Sequence, residues 1–474
     1  MYWADKVAAE IIDSGKYKPY HVDDMKTPSG RIHVGSLCGV MFHDFIHKAL
    51  QHAGQESVFT YLFEDHDPMD ELPHYLPKET WGQYLGQPLF TVPSPDGDSD
   101  KNYAQYFALE FKEAFNRLGA IPEISWNSDL YKTGKMNDGV KICLDKADTI
   151  RGIYNELYEH KLPDTWFPFK VVCPKCGKLS TTNVSAWDGE KVKFTCEVDA
   201  LDWTKGCGES GKISPFSEDG EYVGKLSWKV EWPVKWQVVG VTIEGAGKDH
   251  MSAGGSYDVA KLVCERVLNY PVPHAFAYEF FLLGGRKMSS SKGLGTSARE
   301  ISETVPAYLG RFLFAKANYK QAIEFDPVGT MVIPNLFDEY DRAWIVYNTD
   351  SDVNLSRAFE MAQIGELPDK NPDLYLPRFR DVVNYVQLPN VDEKKQFSSL
   401  ARRPLSKLEL EILTERIAYA KIWLEKYAPE EFKFKMTDQV PEEVRNLTEP
   451  QKKFLGQVRT LLEHEESAEE LQKK

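Results

Sequence analysis

The chain has 474 residues and a formal net charge of −15, too long for one hydrophobic core and consistent with about three domains. Hydrophobic residues make up 42% and charged residues 27%, an ordinary globular balance, and no run reaches the ~20 consecutive apolar residues of a membrane helix. The acidic balance argues against wrapping nucleic acid over the whole surface, because phosphate contacts need clustered Lys and Arg, but it leaves a local basic face open.

The first eighteen residues, MYWADKVAAEIIDSGKYK, mix acidic with apolar positions and lack an apolar signal core. They read as an amphipathic helix of a cytoplasmic protein. Residues 18–23 form a short extended run, followed by the turn Thr27-Pro28-Ser29-Gly30. From Val34, apolar residues recur at Leu37, Val40, Met41, Phe45, Ile46, Ala49 and Leu50, which is helical spacing. Gly54 ends that helix, and SVFTYLF (57–63) reads as a buried strand. Strand, turn, helix and strand make a βαβ unit, so a parallel sheet is expected.

Residues 84–99 are rich in Pro, Gly and Asp and read as a loop. A second amphipathic helix follows, with Tyr103, Tyr106, Phe107, Phe111, Ala114, Phe115 and Leu118 on one face. Residues 165–225 look like a small inserted β module. The α/β pattern then resumes with a strand over 238–245, a helix after Ser256 and strand material over 274–283. Beyond Pro306 the chain becomes increasingly helical, most clearly over 405–427.

Two segments carry chemistry. The first, Thr27 to Ser36 (TPSGRIHVGS), lies on a glycine-containing turn between a strand and a helix. A helix N-terminus offers free N–H groups and a positive dipole end to phosphate or carboxylate, and Gly30 and Gly35 allow close backbone approach. His33 can donate to phosphate oxygens; the plainer reading is a helix-capping turn with a surface histidine. The second, GGRKMSSSKG (284–293), is a glycine-hinged loop with lysines and hydroxyls suited to closing over a triphosphate. Alone, it fits a basic, exposed Ser-rich loop better.

Of the seven cysteines, four fall between 173 and 207. Cys173-Pro-Lys-Cys176, followed by Cys196 and Cys207, resolves into one tight C-x2-C half-site and a looser second pair, pointing to structural Zn²⁺. Cys38, Cys143 and Cys264 are scattered and read as reduced core residues.

Taken together, the two segments resemble the His-x-Gly-His signature and the Lys-Met-Ser-Lys-Ser loop of class I aminoacyl-tRNA synthetases. Here they read His33-Val34-Gly35-Ser36 and Lys287-Met288-Ser289-Ser290-Ser291. Ser36 replaces the second histidine and Ser290 the inner lysine, with Lys292 one residue beyond to supply charge. The Thr-Pro-Ser-Gly lead-in, WKVEWPVKW (228–236), GKDHMSAGGSYD (247–258) and YEF (278–280) resemble the class I lysyl-tRNA synthetase family specifically. The likeness runs from Tyr2 to about Tyr347, with little in the helical tail.

That resemblance implies an α/β fold with a Rossmann-type doubly wound parallel sheet, an inserted small zinc/β module and a C-terminal all-helical anticodon-binding region. The expected divisions are 1–164 and 226–295 for the catalytic domain, 165–225 for the cysteine-rich insert, 296–370 for a connecting domain and 371–474 for the helical region. It implies catalytic roles for His33, Lys287 and Lys292, and an ATP site of Thr27, Gly30, His33, Gly35, Ser36, Gly247, Asp249, Lys287, Met288, Ser289 and Ser291. It places Gly30, Trp228, His250 and Tyr278 around the amino acid and the metal on Cys173, Cys176, Cys196 and Cys207. The implied ligands are L-lysine, ATP with Mg²⁺ and tRNA(Lys), acting on a monomer without a membrane partner. No metal is expected in the loop SPDGDSDKNYAQYF (94–107), which lacks Cys and His.

The residues themselves agree with this reading. A lysine side chain calls for aromatic walls along its stem and an acceptor at its ammonium. Trp228, Trp232, Trp236 and Tyr278 are candidate walls, and Asp249, Glu279, Glu64 and Asp65 candidate acceptors. Three rivals stand beside it: a glutamyl-type class I synthetase, a nucleotidylyltransferase, and a synthetase-like RNA-binding protein without catalysis. The glutamyl type needs a cationic receptor where this sequence offers aromatic and acidic residues.

Overall fold

The computed structural model describes residues 1–218, 220–287, 297–389, 391–434 and 442–463. Its centre is a five-stranded parallel sheet made of β1 (Tyr20–Lys26), β2 (Ser57–Phe63), β3 (Glu123–Trp126), β4 (Ile243–Gly247) and β5 (His274–Tyr278). The spatial order is β5-β4-β1-β2-β3, the 3-2-1-4-5 arrangement of doubly wound sheets. Val22 of β1 pairs with both Phe59 of β2 and Ile243 of β4. Strand order reverses between β1 and β4, so ligands are expected where these two strands end.

The side chains of β2 show how the sheet is sandwiched. Phe59, Tyr61 and Phe63 enter one core together with α1 (Trp3–Ser14), α2 (Leu37–His52) and α3 (Tyr103–Arg117). Leu62 enters the opposite core, shared with α4 (Trp228–Val239) and α5 (Ser256–Val263). The period-2 alternation of a strand thus feeds two helical layers. Helix α2 buries Leu37, Val40, Met41, Phe45 and Ile46 completely or nearly so, each contributing about 1.5–3 kcal/mol of transfer free energy.

The first core continues without a break into the helical tail, through α6 (Ala307–Ala315), α7 (Val332–Thr349), α8 (Val353–Ala362), α9 (Phe379–Tyr385) and α10 (Lys407–Lys426). Phe337 of α7 and Phe379 of α9 stack with ring centres 3.9 Å apart. Among the described residues, no helix is long and apolar enough to cross a membrane.

Between β3 and β4, an antiparallel stalk of 169–171 and 224–226 closes off a three-stranded antiparallel meander of 182–187, 192–196 and 210–213. One sequence expectation fails here. Residues 238–245 do not form a strand: α4 runs on to Val239, Gly240 turns the chain at φ 88°, and β4 begins only at Ile243. The β-branched pair Val238-Val239 mimics a strand, but the Trp228/Trp232/Trp236 spacing of four carries the helix through it.

Candidate active site

Strand β1 ends at Lys26 and releases the segment from Thr27 to Ser36, which is clamped from three sides. Thr27 Oγ1 donates to Asp67 Oδ2 at 2.6 Å, the Tyr103 hydroxyl donates to the Ser29 carbonyl at 2.9 Å, and the Arg31 N–H donates to the Tyr75 hydroxyl at 2.8 Å. A side chain at Gly30 would sit 3.1 Å from Pro73 and from the Tyr75 hydroxyl, so the small residue lets the clamp close. His33, half-buried, begins a 3-10 turn over Val34–Ser36 that leads into α2. Its backbone pairs with Ser297, and the Ala298 N–H donates to the Ile32 carbonyl.

That pairing ties the first motif to the chain four residues beyond the second. The backbone of Lys287 lies in a hairpin with Leu282. Met288, Ser289, Ser291 and Lys292 lie outside the described residues.

Beside this loop, the exits of β4 and β5 form the floor and rim of a second feature. Gly247 and Tyr278 are register partners. The Tyr278 hydroxyl and Asp24 Oδ2 both point at Gly39 in the first turn of α2, where a Cβ would meet them at 2.9 and 2.5 Å. His43, one turn on, accepts the Gly245 N–H at Nε2 (2.7 Å) and therefore donates from Nδ1 to the Gly39 carbonyl (2.7 Å). Burial pulls its pKa down to about 4, so the ring is neutral.

Three carboxyls lie buried here: Asp23 and Asp24 on β1 and Glu244 on β4. Desolvation raises all three, Glu244 to about 8. Asp23 accepts from the Thr60 hydroxyl on Oδ1, while its Oδ2 is buried with no hydrogen-bond partner. These acids escaped the sequence reading because they sit inside strands rather than at a motif.

Helix α4 walls the feature. Trp228 and Trp232 stack at 6.4 Å, Trp232 and Trp236 meet at 5.1 Å, and Glu244 accepts the indole N–H groups of both Trp232 and Trp236. Trp236 is 1% exposed and Trp232 6%, whereas Trp228 is 46% exposed and stands edge-on to His250 at 5.8 Å. Trp228 and His250 thus stand together at the exposed end of the wall, Gly247 and Tyr278 pair at the neighbouring strand ends, and Trp236 belongs to the core. Asp249 lines a shallow pocket with Lys248, Met251, Ser252, Ala277 and Phe280.

Three of the expected acceptors are engaged within the protein. Glu279 pairs with Lys248 at 2.5 Å, Asp65 accepts both the N–H and the hydroxyl of Ser128, and Glu64 holds Lys235 and Asn127. Burial draws the Lys235 ammonium down to about 7.

In the meander, the sulfurs of Cys173 and Cys207 lie 3.5 Å apart and those of Cys176 and Cys196 3.7 Å, and all four fall within 4.8 Å of one another. Metal–sulfur bonds of about 2.3 Å in a tetrahedron put sulfurs roughly 3.8 Å apart, so this spacing suits a metal ion. A Cβ at Gly206 would collide with the Glu197 carbonyl, and Gly177 turns the first knuckle at φ 72°.

The family model described as "tRNA synthetases class I (K)" matches residues 1–365. A protein named lysine–tRNA ligase 1, from Methanosarcina acetivorans, is 33% identical over 469 residues, covering 98% of this chain and 83% of its own length. A lysine–tRNA ligase from Picrophilus torridus is 33% identical over 460 residues, covering 96% and 85%. Similarity therefore extends into the helical tail, beyond the limit near Tyr347 expected from motifs alone. By the extent of these matches, the chain belongs to the family of class I tRNA synthetases of the lysyl (K) type.

Proposed function

We propose that the chain is a lysine–tRNA ligase, which activates L-lysine with ATP to lysyl-adenylate and transfers the lysyl group to the 3′ end of tRNA(Lys). The observation that carries the substrate assignment is the acidic floor beneath an aromatic wall. Asp23, Asp24 and Glu244 are buried carboxyls whose pKa values desolvation raises, that of Glu244 to about 8, and a ligand ammonium entering there favours their charged forms. The tryptophan wall and Tyr278 suit the apolar stem of lysine and add cation–π attraction near its head. A glutamate side chain brings no cation to restore the charge of these carboxyls.

In this reading the lysine carboxylate attacks the α-phosphorus of ATP in line, and pyrophosphate leaves. The protein supplies position and charge rather than covalent chemistry. Gly30 and Thr27 shape the loop against the nucleotide, His33 donates to the α-phosphate as charge develops, and Gly35 and Ser36 at the entry to α2 let the nucleotide approach the positive end of the helix dipole. Gly247 and Asp249 border the nucleotide from β4, and Lys287, Met288, Ser289, Ser291 and Lys292 close over the leaving pyrophosphate. Gly30, Trp228, His250 and Tyr278 hold the amino acid. Mg²⁺, arriving with ATP, neutralises phosphate charge. Cys173, Cys176, Cys196 and Cys207 hold Zn²⁺, a cross-link for a module too small for a core of its own. The helical tail receives the anticodon-bearing part of the tRNA.

ATP–pyrophosphate exchange with each of the twenty amino acids, with and without tRNA, tests the proposal. Exchange driven by lysine is the expected result. Exchange driven by another amino acid keeps the family and removes the lysyl assignment, and no exchange under any condition removes the catalytic reading.

A further inference from the structure

The stalk strand 224–226 carries Lys225, 3% exposed, at the heart of a buried charge cluster. Its ammonium donates to Asp67 Oδ1 and lies 2.8 Å from Glu231 Oε2. Glu231 is fully buried and also accepts from Tyr131 at 2.7 Å and Asn127 at 3.2 Å. The Leu226 N–H in turn donates to the Tyr131 hydroxyl at 2.9 Å. Although Glu64, Asp67 and Glu231 crowd together in the manner of a cation site, Lys225 and Lys235 already provide the cations.

Asp67 divides its carboxylate. One oxygen takes Lys225, the other takes the Thr27 hydroxyl at 2.6 Å. Placing an ammonium between the buried Glu231 carboxylate and the partly buried Asp67 carboxylate gains little net against desolvation, so net stability is a poor account of the cluster. What the cluster does fix is the direction of Asp67, and through it the first residue of the clamped loop. The same stretch of chain is held from the module by backbone: the N–H groups of Leu179 and Ser180 donate to the Gly86 carbonyl, and Gly86 donates to Met69. Thr204 Oγ1 donates to the Leu85 carbonyl.

We propose that Lys225 is a positioning residue for adenylate formation: through Asp67 it holds the Thr27 hydroxyl, and with it the nucleotide loop, in register with the seat of the cysteine module. The proposal rests on the reading of the Thr27–Ser36 segment as the nucleotide loop. Lys225 itself does not touch substrate. Its influence is confined to how well the loop is set before ATP arrives, so it acts on ATP binding rather than on amino-acid choice.

The test uses the full chain and reads ATP affinity by equilibrium titration alongside pyrophosphate exchange. Lys225→Met keeps the stem and removes the charge, Thr27→Val removes the hydroxyl, and Thr27→Ser restores it. Loss of a hydrogen bond to a charged group predicts weakening on the order of tenfold for each of the first two. Because both act through Asp67, the double variant is expected to be no weaker than the worse single, while Thr27→Ser, which keeps the hydroxyl, binds ATP more tightly than Thr27→Val. Losses that multiply in the double variant, or unaltered ATP affinity in Lys225→Met, overturn the proposal. Should Lys225→Met fail to fold, Asp67→Asn serves instead, since its amide oxygen turns to Lys225 and leaves Thr27 facing an NH₂ group; ATP affinity equal to the parent then overturns it. A parent protein that binds ATP but exchanges with no amino acid removes the ligase reading and leaves this comparison intact. A parent that does not bind ATP removes both.

Discussion

Glu244 accepts the indole N–H of Trp232 on one oxygen, at 2.9 Å, and that of Trp236 on the other. A carboxyl used by two neutral donors is oriented but not neutralised, and burial leaves it with a pKa of about 8 despite both bonds. It thus holds a proton at neutral pH until a cation arrives. Lysine binding at pH 7 is therefore expected to release protons, with Asp23 and Asp24 adding in the same direction. Affinity should rise as pH climbs from 6 to 8, where lysine itself remains charged. Calorimetric titration in buffers of different ionisation enthalpy measures the release, and identical apparent enthalpies would refute it. In the free protein the sign is opposite: folding raises this pKa, so its contribution to stability is lost as pH rises from the ordinary carboxylate range through about 8.

Gly39 lies where the Asp24 carboxylate and the Tyr278 hydroxyl converge, with 2.5 and 2.9 Å available to an added Cβ. Gly39→Ala must push one of them aside, although the helix itself gains propensity from the change. We expect the KM for lysine to rise about tenfold while the KM for ATP stays near its original value. A variant with unchanged lysine kinetics would detach Asp24 and Tyr278 from amino-acid recognition.

The four sulfurs of the meander should bind one Zn²⁺ per chain. Cys176→Ser is expected to lose the metal and to loosen residues 182–213 locally; the parallel sheet persists through the core it shares with α1, α2 and α3, which holds no meander residue, while the opposite core loses the support of Val184, Val192 and Phe194. Metal analysis together with hydrogen exchange over this segment checks it. Full protection of the segment in a metal-free variant would show that its own packing suffices.

How far the sequence could be read follows from the range of the interactions involved. Strand 57–63 and helix α2 were legible because each carries its own period, and the glycine-rich turn before His33 because its chemistry is local. The four cysteines were legible because ligand type and spacing identify them without a fold. The acidic floor was not: Asp24 and Glu244 look like strand residues in two distant stretches, and they become one feature only when β4 docks beside β1. Lys225 was equally silent, a single basic residue in a three-residue strand whose partner Asp67 lies 158 positions away. The acceptors read from the sequence, Glu64, Asp65 and Glu279, were exposed-looking acids near motifs that the fold pairs with Lys235, Ser128 and Lys248.

Arg311 in α6 fastens the helical tail to the catalytic sheet. It is fully buried, reaches Asp44 of α2 at 2.5 Å, and spends its other donors on the carbonyls of Met361 (2.6 Å) and Leu118 (3.0 Å). Its guanidinium also lies over the Phe45 ring at 4.7 Å. Four elements thus meet at one planar cation, and a lysine there would lack both the fork and the stacking face. Arg311→Met strands Asp44 and two carbonyls in the interior, with only the partly exposed Lys48, at 3.4 Å from Asp44, as compensation. The expected loss is about 3–5 kcal/mol, seen as an earlier urea midpoint. Adding Asp44→Asn to Arg311→Met should recover part of it, because the uncompensated charge is then gone. Equal stability of the single and double variants would mean that Arg311 acts through the two carbonyls and not through Asp44.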